Sequence, residues 1–250
     1  MTALQIIDVE VRFGGLHALT TCTLSVDAGE RRAIIGPNGA GKTTLFNVIS
    51  GMIKPSAGRV LLFDQDVTGY SPHARAALGL ARTFQITNLF PNLSVLENIV
   101  LGIQALTSMK YVFYRRTSSY TVAIDNALAM LSQWGLASKR DSLVRSLSHG
   151  EQRQLEIILA LSTGPKILLL DEPTQGLSSA ETALVTPLVE RLDRSMTVLF
   201  IEHDMDVAFQ MADTISVLHY GCVLAEGNKD HIRGNPKVAE VYLGVEAPDA

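Results

Sequence analysis

Gly36-Pro37-Asn38-Gly39-Ala40-Gly41-Lys42-Thr43 stands between a short apolar run, Ala33–Ile35, and a helical pattern running from about Gly41 to Ser50 and closed by Gly51. The stretch fits G-x-x-x-x-G-K-[ST] in full. Each residue type has a physical reason. Glycines let the backbone curl until successive N–H groups point inward at phosphate oxygens. The helix that follows adds its positive N-terminal end. Lys42 is placed to reach the β- and γ-phosphates of a nucleotide, and the Thr43 hydroxyl to ligate Mg²⁺. Gly36, Asn38, Gly39, Ala40, Gly41, Lys42, Thr43 and the adjoining Thr44 are therefore the candidate nucleotide-binding residues. The plainer reading is a glycine-rich turn that holds nothing; the strand before it and the helix after it speak against that.

A second stretch, Ile167-Leu168-Leu169-Leu170-Asp171-Glu172, reads as a buried parallel strand that ends in two acids. Ligands of open α/β sheets collect beyond the carboxyl ends of strands. Asp171 is placed there to hold Mg²⁺ and Glu172 to polarise an attacking water. Taken alone, Glu172 could be a surface acid paired with a nearby base. The phosphate loop makes the catalytic reading the stronger one.

Outward from these motifs the chain alternates. Leu4, Ile6, Val9 and Val11 lie in a β-like run, Leu24 and Val26 in a second, and Gly58–Phe63 reads as a third strand. From about Ile86 to Ser162 the pattern turns helical; Ile124, Leu128 and Leu131 share one helix face, which Trp134 extends. Strands at Ile167–Leu170, Val198–Ile201 and Ile215–Leu218 then alternate with helical segments. This rhythm predicts a mostly parallel sheet with helices. Three Ser-x-x-Glu boxes, at Ser94, Ser148 and Ser178, mark helix starts. The segment Gln104–Thr121 interleaves Lys110, Arg115 and Arg116 with Tyr111, Phe113 and Tyr114; it reads as a solvated amphipathic segment or a docking surface.

Composition sets the outer limits. The 250 residues are 47% apolar, which excludes a disordered chain, a collagen and a disulfide knot. A net charge of −4 and the lack of a basic tract argue against a nucleic-acid partner. Cys22 and Cys222 have no metal-like spacing and read as reduced, buried thiols. No run approaches 18 apolar residues, and Met1–Val11 lacks the features of a signal peptide, so a cytoplasmic chain without a membrane span is expected. The mean hydropathy of +0.20 hints at a surface covered by a partner. One unit of residues 1–250 is expected, with a helical subdomain inserted at about 86–162.

Further residues resemble a family. Leu147-Ser148-His149-Gly150-Glu151 resembles the signature loop of ATP-binding cassette proteins, usually Leu-Ser-Gly-Gly-Gln, and stands where that family has it, shortly before the Asp171 strand. Gln85 in Arg82-Thr83-Phe84-Gln85 resembles the family's glutamine loop, His203 its switch histidine, and Phe13 the aromatic that stacks on adenine. The resemblance implies an α/β P-loop fold with a mostly parallel RecA-like core, an antiparallel β-subdomain and an inserted helical subdomain. It implies an ATPase that uses ATP and Mg²⁺, with Glu172, His203 and Gln85 catalytic and Thr43, Gln85 and Asp171 around the metal. It also implies that two cassettes face head to tail, so that Leu147, Ser148, His149, Gly150 and Glu151 act on ATP held by the partner. Each of these residues has a plainer reading: Ser148 and Glu151 as a helix cap, His203 as a satisfied polar residue, Phe13 as core.

Departures from the family pattern are specific. His149 and Glu151 replace the usual glycine and glutamine, and the charge of Glu151 is unhelpful near a triphosphate unless it turns back to cap its own helix. Ser178 stands where many cassettes carry the aspartate of an inter-subunit loop. A finer resemblance, to the ATPases of branched-chain amino-acid importers, is carried by Gly79–Gln85 with Leu93–Asn98, by Leu147–Ile157, and by Glu202–Asp206 with Leu218–Gly221 and Tyr242–Gly244. It implies a peripheral subunit on the cytoplasmic face of a bacterial inner membrane. Its partners would be a second, different cassette, two permease subunits and, indirectly, a solute-binding protein. Importers of urea, amides or organic acids share these motifs. The phosphate loop is also compatible with a soluble cassette of translation or DNA repair, with a metabolic kinase and with an exporter cassette. The first resembles tandem cassettes or carries coiled-coil insertions, the second leaves Leu147–Glu151 unexplained, and the third is often fused to membrane spans.

Overall fold

The computed structural model describes residues 1–83, 89–105 and 121–243. The chain opens with two long strands, β1 (Thr2–Phe13) and β2 (Leu16–Asp27), followed by β3 (Arg31–Ile35), the glycine-rich loop and α1 (Lys42–Ile49). Next come β4 (Ala57–Leu62), β5 (Gln65–Asp66), α2 (Pro72–Ala77) and β6 (Leu80–Arg82). Helices α3 (Val95–Ala105), α4 (Thr121–Gln133) and α5 (His149–Leu161) precede β7 (Ile167–Asp171) and α6 (Ser179–Glu190). The last stretch holds β8 (Thr197–Ile201), α7 (Met205–Met211), β9 (Thr214–His219), β10 (Cys222–Gly227), α8 (Lys229–Arg233) and α9 (Pro236–Leu243).

Two sheets result. A four-stranded sheet has the order β2-β1-β4-β5, all antiparallel. A six-stranded sheet has the order β10-β9-β3-β8-β7-β6, parallel throughout except for β10 at its edge. Every residue of β3, β7 and β8 is buried, as a parallel strand covered on both faces requires. Side-chain alternation divides them between two cores. Ala33, Ile35, Leu168, Leu170, Val198 and Phe200 face the layer of α3 to α7. Ile34, Ile167, Leu169, Leu199 and Ile201 face α1 and the antiparallel sheet. The parallel core and the antiparallel sheet agree with the sequence reading.

Three details differ from it. β6 and β10 are not legible in the sequence, because β6 has only three residues and β10, a half-covered edge strand, shows no clear alternation. On α4 the buried face is centred on Ala123, Ala127 and Leu131, with Ile124 and Leu128 half-buried at its margins. Cys22 is buried, and burial pushes its thiol up to about 12, but Cys222 is exposed. Cys222 opens the edge strand just after the Tyr220-Gly221 turn, so only one side of it is covered. Both thiols are free, as expected.

The foundation under the loop is a buried cation. Arg75 is fully buried, and its Nη1 donates to the carbonyls of Val48 at 2.6 Å and Ile49 at 2.7 Å, while Nη2 donates to Thr68 O at 3.2 Å. The last carbonyls of α1 have no partner within the helix; Gly51 N–H reaches Val48 O at 3.1 Å, and Arg75 serves both Val48 and Ile49, anchoring the helix that carries Lys42. Arg75→Met leaves three buried carbonyls without this donor and should cost about 3 kcal/mol of stability. Urea denaturation of the variant against the parent checks this.

Candidate functional site

The loop between β3 and α1 is shaped by contacts that admit no side chain. Gly36 has φ +150°, and a Cβ there would lie 2.1 Å from Leu218 O of β9. Gly41 has φ +101°, and a Cβ would lie 2.5 Å from Ala18 O of β2. Gly41 also caps α1 without a side-chain hydrogen bond, so the first N–H groups of the helix remain available to an anion. Lys42 runs back along the loop, its Nζ donating to Gly36 O at 2.7 Å and Pro37 O at 2.9 Å. Burial lowers its pKa, and the charge of Glu172 partly offsets that.

The acidic end of β7 meets this loop because neighbouring parallel strands end together. Asp171 pairs with Ile201 of β8, so Glu172 and His203 leave their strands side by side. Their side chains join, His203 Nε2 lying 2.8 Å from Glu172 Oε1. Glu172 is buried and sits at φ +50°, a left-handed conformation that is strained in a residue with a side chain. Its N–H donates to Ile201 O at 3.2 Å, and its carbonyl accepts from Arg153 Nη2, which together hold it there.

A groove of about 310 Å³ brings these groups together. Phe13, Asn38, the residues Gly39, Ala40, Gly41, Lys42, Thr43 and Thr44, and both Glu172 and His203 line it. Phe13 ends β1 with its residue surface half exposed, so a ring is on offer to a flat ligand at the groove. Asp171 lies deeper: its Oδ2 accepts from Arg82 Nη2 at 2.7 Å, while its buried Oδ1 has no hydrogen-bond partner among the described residues. A hard carboxylate oxygen so placed, with the Thr43 hydroxyl at the start of α1, fits a Mg²⁺ that keeps waters and phosphate oxygens as its other ligands. Gln85 lies outside the described residues, as do Phe84, most of 104–121 and Gly244.

Leu147–Glu151 does not line this groove. Ser148 caps α5: its side chain accepts from Glu151 N–H, and the Glu151 carboxylate accepts from Ser148 N–H at 2.9 Å. Lys139 Nζ stands 3.1 Å from the same carboxylate. The Glu151 charge is thus turned back onto its own helix, the one arrangement compatible with a nearby triphosphate. Leu147 and Gly150 are buried, whereas Ser148 and His149 are exposed. Ser178 caps α6 in the same way, with Glu181 as its partner, and Ser94 and Glu97 form the third box. Glu181 Oε1 also accepts from Gly150 N–H at 3.0 Å, tying the two loops together.

Two residues that the sequence reading did not single out hold the site. Arg153 of α5 donates to the carbonyls of Asp171 at 2.9 Å and Pro173 at 3.0 Å, and its Nη1 pairs with Glu156 at 2.7 Å. The available signal was an Arg and a Glu three apart on an otherwise apolar helix face, which is tolerated only if both are paired. Glu202 accepts from the N–H and Oγ1 of Thr174 at 3.2 and 2.9 Å, fixing the turn after Glu172; burial pushes its pKa up.

The Glu151 cap has a pH signature. Hydrogen bonding from Ser148 N–H holds its carboxyl below the ordinary value of 4.5, with Lys139 adding to the effect. A depressed folded-state pKa gives stability that is present above the unfolded value and lost as pH falls through the folded one. Glu151→Gln should therefore lower the melting temperature at pH 7, and the deficit should shrink below about pH 4. Thermal melts of both proteins across pH 3–7 check this.

Comparison with known proteins agrees with this geometry. The family model described as ABC transporter matches residues 19–175. The chain is 39% identical over 241 residues to the high-affinity branched-chain amino acid transport ATP-binding protein LivG of Escherichia coli K12, covering 94% of each. Its fold matches the ADP conformation of the ATP-binding cassette MJ1267 with a TM-score of 0.86 and 31% identity, covering 98% of this chain and 100% of that one. It also matches the dimeric cassette MJ0796 bound to ADP and Pi, with a TM-score of 0.76 and 28% identity, over 90% of this chain and 98% of that one. A phosphate loop, a capped signature helix and an acidic strand end follow one another in this order on this fold, and the chain belongs to the ABC transporter family, as an ATP-binding cassette.

Proposed function

We propose that this chain is the ATP-hydrolysing subunit of an importer for branched-chain or related hydrophobic amino acids. The observation that carries the ATPase reading is the single groove lined by the phosphate loop, Phe13 and the Glu172–His203 pair. The solute class rests on the likeness to LivG, a branched-chain amino acid transport protein.

In this reading ATP lies with its adenine against Phe13 and its phosphates on the N–H groups of the loop. Lys42 Nζ leaves the carbonyls of Gly36 and Pro37 for the phosphate oxygens. Thr43 and Asp171 would hold Mg²⁺, with Gln85 as a third contributor. Bound Mg²⁺ supplies charge neutralisation and polarisation of the phosphate oxygens. Glu172 Oε1, next to His203 Nε2, takes the proton of the attacking water, and His203 holds the water and γ-phosphate in line. Most of the work is positioning and electrostatics.

One chain supplies half of each site. Leu147–Glu151 would meet ATP held by a second cassette, Ser148 Oγ and Gly150 N–H facing its γ-phosphate and Ser178 lying at the same interface. The dimeric structure of the cassette MJ0796 bound to ADP and Pi supports a pairing of two cassettes. ATP then joins the cassettes, hydrolysis releases them, and the permease is driven by the difference in affinity between the two states. An apolar groove of about 620 Å³, between α2 and β6 on one side and α3 and α5 on the other, suits a short permease helix. We assign residues 1–250 to one unit with 86–162 as its helical subdomain, peripheral to the cytoplasmic face of the membrane. Among the described residues no helix is long and apolar enough to cross it.

Glu172→Gln should lower ATP turnover by about 10³-fold while ATP binding persists and a nucleotide-joined dimer accumulates; turnover and size-exclusion measurements check this. Lys42→Ala should weaken ATP binding about 30-fold, read by fluorescence titration, through loss of a charged contact to phosphate.

A further inference from the structure

Arg82 ends β6, and its guanidinium reaches two other elements. Nη2 donates to Asp171 Oδ2 at 2.7 Å. Nη1 donates to Asn47 Oδ1 and to Ser50 Oγ, each at 2.8 Å. The Arg82 side chain is 6% exposed and that of Asp171 2%, so the pair is shielded from water and its geometry is fixed by these bonds. Asn47 and Ser50 belong to α1 and its C-terminal cap. Asn47 stands four residues after Thr43, one helical turn along, and therefore on the same face of α1.

The arrangement is a strut. Thr43 and Asp171 come from different parts of the fold, α1 and β7. Arg82 joins the face of α1 that carries Thr43 to the carboxylate that ends β7. By engaging Oδ2 it also stops the Asp171 carboxylate from rotating, and leaves Oδ1 as the oxygen on offer. We propose that Arg82 is a positioning residue for the metal–nucleotide site, holding Thr43 and Asp171 at their working separation before the metal arrives. This rests on the reading of the groove as an ATP site and goes beyond it, because Arg82 is not among the residues that line the groove. Mutating a partner that orients a metal ligand typically costs about 10–100-fold in metal affinity.

The test is Mn²⁺ binding to the ADP-loaded protein, followed by electron paramagnetic resonance, beside ADP binding in the absence of metal. Arg82→Met should weaken Mn²⁺ binding about tenfold and leave metal-free ADP binding within about twofold. Arg82→Lys keeps the charge and loses the fork, so it should fall between. Asn47→Ala removes only the helix end of the strut at a half-buried position and should weaken Mn²⁺ binding in the same direction. Parent-like Mn²⁺ binding in both Arg82→Met and Asn47→Ala overturns the proposal, as does a parallel loss of metal-free ADP binding, which marks a purely structural role. Should Arg82→Met fail to fold, Asn47→Ala decides alone. Failure of the unaltered protein to bind ADP sinks the site reading itself, and is told apart by that control.

Discussion

Parallel pairing of β3, β8 and β7 is the constraint on which the site depends. Ile34 pairs with Ile201, and Ile201 pairs with Asp171, so the three strands run out at one level. Whatever follows them must emerge side by side on the same edge of the sheet. From β3 that is the glycine loop, from β7 Glu172, and from β8 His203. The rows of apolar side chains on both faces fix this register, because a one-residue slip would exchange the two cores. Hydrophobic packing far from any nucleotide therefore sets the distance between an acid and a histidine to within hydrogen-bond tolerance.

A second layer of control comes from buried arginines. Arg75 donates to the final carbonyls of α1, and Arg31 Nη2 donates to Glu190 and Leu192 carbonyls at the end of α6. Arg153 grips the main chain from Asp171 to Pro173. Each puts a permanent charge against main-chain carbonyl oxygens at or just beyond the ends of elements. The guanidinium suits this because it presents several donors in one plane and stays charged when buried. The elements that carry functional groups are fastened through their backbones, and their side chains remain available for chemistry.

The motifs were legible because each combines a local pattern with a physical demand. The glycine loop needs positive φ and close approach, Ile167–Asp171 is apolar on both faces, and three Ser-x-x-Glu boxes mark helix starts that the structure contains. What escaped is long-range. Arg82 reads as any residue after a short apolar pair, and its partners lie 35 and 89 residues away in sequence. Arg153 is one charge among many until the turn it grips is in place. Cys222 reads as buried by residue type, and only the edge position of β10 exposes it. Pattern finds groups that act through their immediate neighbours; it is blind to those that act across the fold.

The bond from Gly150 N–H to Glu181 Oε1 has a bearing on how two such chains would come together. On the proposed dimeric reading, that donor faces the partner's γ-phosphate in the closed state. The open chain does not keep the donor bare; it satisfies it with an anion of its own. Closing is then an exchange of one negative group for another at the same helix end, and opening is the reverse. Neither step strands an unpaired amide. The displaced carboxylate also remains attached to Ser178, at the head of the neighbouring helix. Arrival of a phosphate on one loop would thus be felt at once by the other, through a single side chain.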